Sequence, residues 1–448
     1  MHVTALPAER AVTPFVRPRA SNTTGFWTVA ASFTALMAFA TVTAPLWSLY
    51  QQRDQFSATT VTAAFAAMVM GTAAGFTLLG HLSDRFGRRA VVMSGLLVGV
   101  AGAGVMAASA TLAVLITGRV LTGLAVGMVA STATAYLGEL HVRAGHTAVG
   151  SAFPGLVATT ANLGGLALGP ITGGVLATWA PLPLHVSYLV FAGVMAALAV
   201  VVAFAPETVD VSAHSEGRPV RFALLPGARA SFTGAAAVGF FALALLGLFS
   251  SLGGVIVRAQ LHTASILVVG LVPFTAFAVS AVAQIALRRL THIRLLTAGS
   301  ALFPIGLALT TLSLYEPHLW LLLVAAGLAG GGAGLLFKGA VTETVRLARP
   351  ASRAGVLAMF FAIAYLGMGL PSIVLSLVIQ RTALRPAMIG FASVLAIGAV
   401  AAVVTAARTH RRVWFPERTP AAPNSRRTEK AMPHSQSDYH PPGHAKPP

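Results

Sequence analysis

The residues of this chain that could do chemistry are charges and small side chains, not nucleophiles. One stretch, Gly80-His81-Leu82-Ser83-Asp84-Arg85-Phe86-Gly87-Arg88-Arg89, sets a single acid among three bases, with two glycines bracketing a short turn. Charges so spaced can pair with one another, with a helix end or with a charge on a neighbouring segment, and the glycines allow a close chain approach. An anchor at a membrane edge would explain the arginines but not Asp84 or the glycine spacing. Arg119, in Arg119-Val120-Leu121-Thr122-Gly123, lies eight residues past Thr111 in an apolar run, about 12 Å in at helical rise. A guanidinium at that depth costs roughly 2.5 kcal/mol or more, so it faces a cavity or a partner, or snorkels outward. A third constellation, Gly164-Gly165-Leu166-Ala167-Leu168-Gly169-Pro170-Ile171-Thr172-Gly173-Gly174, lets helices pack backbone to backbone and bends at the proline. Ordinary small-residue packing, as at Gly71/Gly75 and from Gly327 to Gly334, is its plainer reading.

Other chemistry is excluded. There are no cysteines, hence no disulfide, thiolate metal site or cysteine nucleophile. The thirteen histidines cluster in loops and tails, and none forms a His-x-x-x-His pair within an apolar run, so no metal site is expected. A phosphate-binding Gly-x-x-x-x-Gly-Lys-Ser/Thr loop is missing, and no carboxylate pair lies within the apolar runs. Neither an enzyme nor a cofactor protein is expected. The +18 charge, from 30 Lys+Arg against 12 Asp+Glu, sits in short loops and forms no stripe that nucleic acid would need.

The elements that position these residues follow from composition. The chain is 56% hydrophobic and 9% charged, with mean hydropathy +0.78, whereas a soluble chain carries about 25% charged residues. A bilayer core of about 30 Å needs roughly 20 apolar residues as helix. Twelve such runs are present, at 26–49, 57–80, 90–108, 111–137, 149–178, 184–205, 229–257, 263–287, 295–314, 318–340, 353–380 and 384–407. With the amino terminus inside, thirteen arginines fall in cytoplasmic loops and four (Arg53, Arg258, Arg381, Arg385) in the opposite ones, the asymmetry that the positive-inside rule requires. The longest break, 206–228, begins Pro206-Glu207-Thr208 and divides the runs six and six, a plan suited to two bundles around a path. The expected organisation is a cytoplasmic tail 1–25 with no cleaved signal, a bundle 26–205, a linker 206–228, a bundle 229–407 and a disordered cytoplasmic tail 408–448 ending HPPGHAKPP.

The 80–89 stretch resembles the signature loop of the major facilitator superfamily, and the layout resembles that family over residues 26–407. The resemblance implies an all-α membrane protein of twelve transmembrane helices in two six-helix bundles. It also implies a cytoplasmic latch built from Gly80, Asp84, Arg85, Gly87, Arg88 and Arg89. Asp84 would meet the amino-terminal end of the eleventh span near Ser352 and Ala354, and Arg88 would pair with Glu139. Arg119 and Gly123 resemble the fourth-helix motif of proton-coupled members, where the arginine is tied to coupling through an acid in the first helix. Here Gly25 to Tyr50 contains no acid, which leaves carbonyls, hydroxyls such as Thr41 or Thr43, or an anionic substrate to balance Arg119. Gly165, Gly169, Pro170, Gly173 and Gly174 are similar to the antiporter motif of drug-exporting branches. In the second half, Gln284-Ile285-Ala286-Leu287-Arg288-Arg289 lacks the acid and the glycines and reads as an anchor only.

The central cavity is expected to involve Arg119, Gly123, Asn162, Phe240, Phe249, Ser250, Gln284 and Tyr365, with Lys338 snorkelling. The function implied is secondary transport of a small amphiphilic or drug-like molecule across the plasma membrane by alternating access. Protons are the coupling ion, export is the direction, the lipid bilayer is the surrounding partner, and the chain acts as a monomer. Two alternatives stand beside it: an importer or passive facilitator of a small metabolite on the same fold, and a non-transporting membrane receptor or scaffold.

Overall fold

The computed structural model describes residues 20–80, 82–145, 152–209, 222–261, 263, 265–349 and 352–414. These segments are almost wholly helical, as they must be where no water is present to satisfy backbone groups. In the first half the helices are α1 (Asn22–Asp54), α2 (Ala58–Ala74), α3 (Leu82–Phe86), α4 (Arg88–Ala108), α5 (Leu112–Arg143), α6 (Phe153–Thr159), α7 (Gly165–Trp179) and α8 (Pro183–Val202). The second half holds α9 (Arg229–Ser251), α10 (Gly253–Leu261), α11 (Ile266–Ala286), α12 (His292–Leu312), α13 (Leu319–Leu347), α14 (Arg353–Arg381) and α15 (Leu384–Trp414). Ser21 and Ser57 cap α1 and α2, each hydroxyl accepting a backbone N–H at 3.1 Å, from Thr24 and Thr60, so exposed helix ends stay satisfied at the membrane edge.

Among the described residues, eleven helical segments are long and apolar enough to cross a bilayer. The expected fifth span is a composite instead: α6 passes through a π turn at Thr160–Gly164 into α7. A second π turn, Gly75–Leu79, continues α2. Two boundaries differ from expectation. The seventh span stops at Ser251 with Leu252 as its C-cap, and α10 follows separately from Gly253. The last helix runs to Trp414, past the expected end at 407, since no Gly or Pro interrupts residues 399–414. The expected disordered tail therefore begins in helix, and residues 415–448 lie outside those described.

Burial separates inner from outer helices. Seventy-eight per cent of the most apolar window is buried in α1 and α9, against 33% in α8 and α15. The outer helices turn Val200, Val394 and Ile397 outward, each at least 63% exposed, and such a surface is stable only against lipid. Within the first half α1 packs on α5, α7 and α8, and α4 on α5 and α8; within the second, α9 packs on α13, α14 and α15, and α12 on α13. Two seams join the halves, α2 against α14 and α7 against α11.

The two ends of these seams are built differently. Where α2 begins and α14 ends, Thr62 and Ser376 share a hydrogen bond of 2.8 Å, and Gln380 donates to the Thr59 hydroxyl. Nearby, the Gln52 side-chain oxygen accepts from the Arg258 guanidinium. At the arginine-rich end the seam is aromatic. Phe76, in the π turn of α2, stacks on Phe361 of α14 with centroids 5.2 Å apart and lies 5.5 Å from Tyr365.

Close approach rests on missing side chains. A Cβ on Gly247 of α9 would run into the Met368 carbonyl of α14, and one on Gly367 into the Phe240 carbonyl. Gly247→Ala must therefore part α9 from α14, an overpacking penalty of about 1–3 kcal/mol. We expect a lowered unfolding midpoint in detergent for Gly247→Ala and no loss for Gly104→Ala, whose Cβ meets nothing within 4 Å.

Candidate functional site

At the arginine-rich end the chain leaves α8 through Pro206-Glu207-Thr208 and crosses the start of α4. Gly87 precedes α4 with φ +94°, a left-handed conformation that suits glycine, and a Cβ there would press on the Glu207 carboxylate at 2.5 Å. That carboxylate caps α4: it accepts from the backbone N–H of Arg88 at 2.8 Å and of Arg89 at 3.1 Å. It also accepts from the N–H of Thr208 and Val209 at 2.9 and 3.2 Å. An anion at a helix amino terminus gains from both the free N–H groups and the dipole.

Charges spread from this cap. The Arg88 guanidinium lies 2.7 Å from Asp84 and 3.2 Å from Glu139, and donates to the Ser83 hydroxyl at 2.6 Å. Glu139 in turn accepts from the Thr208 hydroxyl. Arg143 donates to the Glu207 and Thr208 carbonyls at 2.8 and 2.7 Å, the Tyr136 hydroxyl to the Pro206 carbonyl at 2.6 Å, and Arg89 to the Ala203 and Ala205 carbonyls. Arg85 rests on the Phe86 ring, and Gly80 closes the π turn of α2. The network bolts the head of the linker to α4 and α5.

Among the described residues, the expected contact of Asp84 with the start of the eleventh span is not formed. Asp84 is 59% exposed and pairs with Arg88 of its own half. The Ser352 hydroxyl donates to the Ala223 and Arg349 carbonyls instead, so the foot of the linker occupies the start of α14. Sequence reasoning missed Glu207. Its signal was an acid directly after a helix-ending proline, with the amino terminus of α4 left without a capping side chain of its own.

Arg119 is 1% exposed. It donates to the Ala40 carbonyl at 2.9 Å, the Thr43 hydroxyl at 2.7 Å and the Met68 sulfur at 2.8 Å, which ties α5 to α1 and α2. Its Nε has no partner. Thr41, the other hydroxyl considered for it, donates to the Leu166 carbonyl of α7 at 2.9 Å. Gly123 lies one turn further on, where a Cβ would collide with the Met68 carbonyl.

A cavity of about 40 Å³ lies between the halves, lined by Phe76, Thr134, Asn162, Phe337, Phe361 and Tyr365 together with aliphatic side chains. That is room for a few waters. Asn162 and Tyr365 belong to it, whereas Arg119, Gly123, Phe240, Phe249, Ser250 and Gln284 do not. The Asn162 side-chain oxygen is buried without a partner. The half-buried Lys338 donates its ammonium to the Gln284 carbonyl near the end of α11. The glycines of α7 face two ways. Gly165, Gly169 and Gly173 lie on the backbone of α1 near Thr34, Ala38 and Val42, while Gly174 meets Leu267 and the Pro170 carbonyl meets Gly270, both on α11. This stripe is a packing surface that seats α7 between the two halves.

Comparison with known proteins decides the family. The model described as Major Facilitator Superfamily matches residues 28–314. The chain belongs to the major facilitator superfamily. Among curated members of the superfamily, "Glucose transporter GlcP" of Staphylococcus epidermidis is 42% identical over 84 residues, 19% of this chain and 19% of that protein. "Galactose-proton symporter" of Escherichia coli strain K12 is 40% identical over 89 residues, again 19% of each. The chain thus matches about a fifth of the length of these relatives. The solved nucleoside transporter NupG superposes with TM-score 0.64 at 14% identity, covering 85% of this chain and 99% of that one. The human organic anion transporter MFSD10 gives 0.63 at 16%, covering 87% and 100%. The structural likenesses show the fold, and the family match places the chain in the superfamily.

Glu207→Gln retains shape but removes the charge that four N–H groups share. We expect a loss of about 1–3 kcal/mol of stability, seen as a lower unfolding midpoint, and a smaller loss when Glu139→Gln is already present, because the two acids serve one network.

Proposed function

We propose that this protein carries a small, uncharged or amphiphilic organic molecule across the plasma membrane by alternating access, with its arginine-rich end and both termini in the cytoplasm. The observation that carries the reading is the cavity between the halves. It is lined by aromatic and aliphatic groups, its polar side chains are Thr134, Asn162 and Tyr365, and no charged side chain reaches it. Apolar pockets with a few placed polar groups suit amphiphilic cargo, whereas dicarboxylates or phosphates would need cationic partners.

Residues 26–205 and 229–407 rock as two bodies about this point. At the cytoplasmic end the Phe76, Phe361 and Tyr365 contacts part, and rings separate without leaving a charge unpaired. The Arg88, Asp84 and Glu139 network with the Glu207 cap keeps α4, α5 and the linker head moving as one piece, so its role is to transmit the rocking. Export driven by the proton gradient is the direction we favour, on the likeness of Gly165 to Gly174 to the antiporter motif, and Arg119 is the expected link to coupling. Its ties to α1 and α2 give it a place where a shift of either helix is felt.

A second reading, uptake of a sugar-like molecule, draws on the names of the two curated relatives. Each sugar hydroxyl needs a hydrogen-bond partner once desolvated, and three polar side chains supply few.

Proteoliposomes under an imposed pH gradient discriminate the readings. We expect flux of an amphiphilic cationic or neutral dye against its gradient and little flux of glucose or galactose; the reverse order would overturn the cargo class. Asp84→Asn and Arg88→Ala should each lower the rate several-fold while insertion persists, and Arg119→Ala should abolish coupling. A normal pH-driven rate in Arg119→Ala would make that residue structural.

A further inference from the structure

Arg288 and Arg289 end the second-half stretch that, as a sequence, reads as an anchor only. Its place in the fold gives it more to do. The helix pair α12/α13 repeats α4/α5 in register. Adding 204 to Gly95 and Gly102 gives Gly299 and Gly306; a Cβ on the first two would meet α5, and one on the second two would meet α13. The same offset carries Asp84 onto Arg288 and Arg85 onto Arg289. The acid that meets Arg88 in the first copy is therefore a base in the second.

That exchange leaves a corner of cations with no protein anion. Backbone N–H groups of Arg288 and Leu290 donate to the Ile285 and Leu287 carbonyls at 3.3 and 3.1 Å, which folds the chain into a tight turn between α11 and α12. Arg288, Arg289 and Arg294 are all exposed there. Among the described residues no carboxylate pairs with any of the three. At the matching place in the first half, Asp84 and Glu139 hold Arg88 and Glu207 caps the helix that follows. The positive-inside rule accounts for bases in this turn, but it supplies no counter-charge, and like charges this close repel one another until an anion joins them.

The surface next to the corner is apolar. Along α12, Ile293, Thr297, Ala301 and Ile305 are exposed at steps of four, one uncharged helix face that begins at the turn. Val282 and Ala286, exposed one turn apart at the end of α11, lead up to it from the other side. Val282 and Ile293 are each 61% exposed. Both helices pack on α13 and scarcely on one another, so these faces are not covered by each other. Three guanidiniums at the head of apolar faces are the complement of a molecule with an anionic head and hydrocarbon chains, and the arginine fork suits phosphate oxygens.

We propose that the turn between α11 and α12 binds an anionic phospholipid, with its phosphate among Arg288, Arg289 and Arg294 and its acyl chains along the exposed faces of α11 and α12. A zwitterionic lipid is the poorer ligand, because its ammonium group meets three cations. The first-half turn is not such a site, since its bases are already engaged by Asp84, Glu139 and Glu207.

The test needs no cargo, so it stands or falls apart from the transport reading. The purified full chain in detergent is titrated with phosphatidylglycerol, phosphatidylcholine or free glycerol 3-phosphate, and bound lipid is counted by native mass spectrometry. Phosphatidylglycerol should bind at the lowest concentration. The triple variant Arg288→Gln, Arg289→Gln, Arg294→Gln should bind it about a hundredfold more weakly, at about 1 kcal/mol per base. Its unfolding midpoint without lipid should match that of the unaltered chain, because the three side chains hold no internal ion pair. Lysine at all three positions should keep most of the binding. A measurement on the unaltered chain stands beside the variants: salt that shortens the Debye length from about 30 Å to about 3 Å should release the lipid. Equal binding of phosphatidylcholine, undiminished binding by the triple glutamine variant or indifference to salt would overturn the proposal. Free glycerol 3-phosphate matching the lipid at equal concentration would also overturn it, in favour of a site for soluble anions.

Discussion

Helices in lipid have little hydrophobic reason to stick to one another, since acyl chains are as apolar as leucine, so packing distance governs everything else in this molecule. Glycines set that distance. The α1/α7, α2/α5 and α9/α14 crossings each depend on a position where a Cβ would meet a neighbouring backbone carbonyl. Because α7 and α14 also form the seams between halves, the same small residues that condense each half decide how the halves meet. A guanidinium can lie in this interior because close packing brings Ala40, Thr43 and Met68 to it; a looser interior would leave it without ligands.

The cavity inherits this economy of space. At about 40 Å³ it is closed around its own side chains, and the aromatic groups that cap it on the arginine-rich side come from both halves. Two π turns, Gly75–Leu79 and Thr160–Gly164, lie in the very helices that meet the opposite half. A π turn widens a helix locally and weakens its hydrogen-bond ladder, and such turns are frequent at functional sites. Phe76 and Asn162, one in each π turn, are both cavity residues, so the irregular backbone and the cavity wall are the same atoms.

Much of this was legible in the sequence. Twelve apolar runs of membrane length and a central polar break required a twelve-span helical protein, and the glycines at 80 and 87 were legible as sites of close chain approach. What could not be read was which distant residues share a contact. Asp84 was assigned to the far half because its neighbours resemble a known loop, yet Arg88 one turn away is the nearer cation. Glu207 was legible only as an acid after a proline, and its role depends on the chain crossing back over α4. Arg119 was read as deep and polar, but depth along a helix does not tell which face meets a cavity.

The unequal construction of the two ends has one more consequence. The end that holds Thr62, Ser376, Thr59 and Gln380 is closed by hydrogen bonds that pair no two opposite charges, the Arg258 guanidinium meeting only the neutral Gln52, and added electrolyte weakens these little. The other end is stitched within each half by ions, whose attraction fades once the Debye length falls below their spacing. Ionic strength thus acts as a one-sided solvent variable: it softens the bodies near their arginine-rich tips and leaves the opposite closure untouched, so brine and fresh water would bias the same molecule toward different mobile faces.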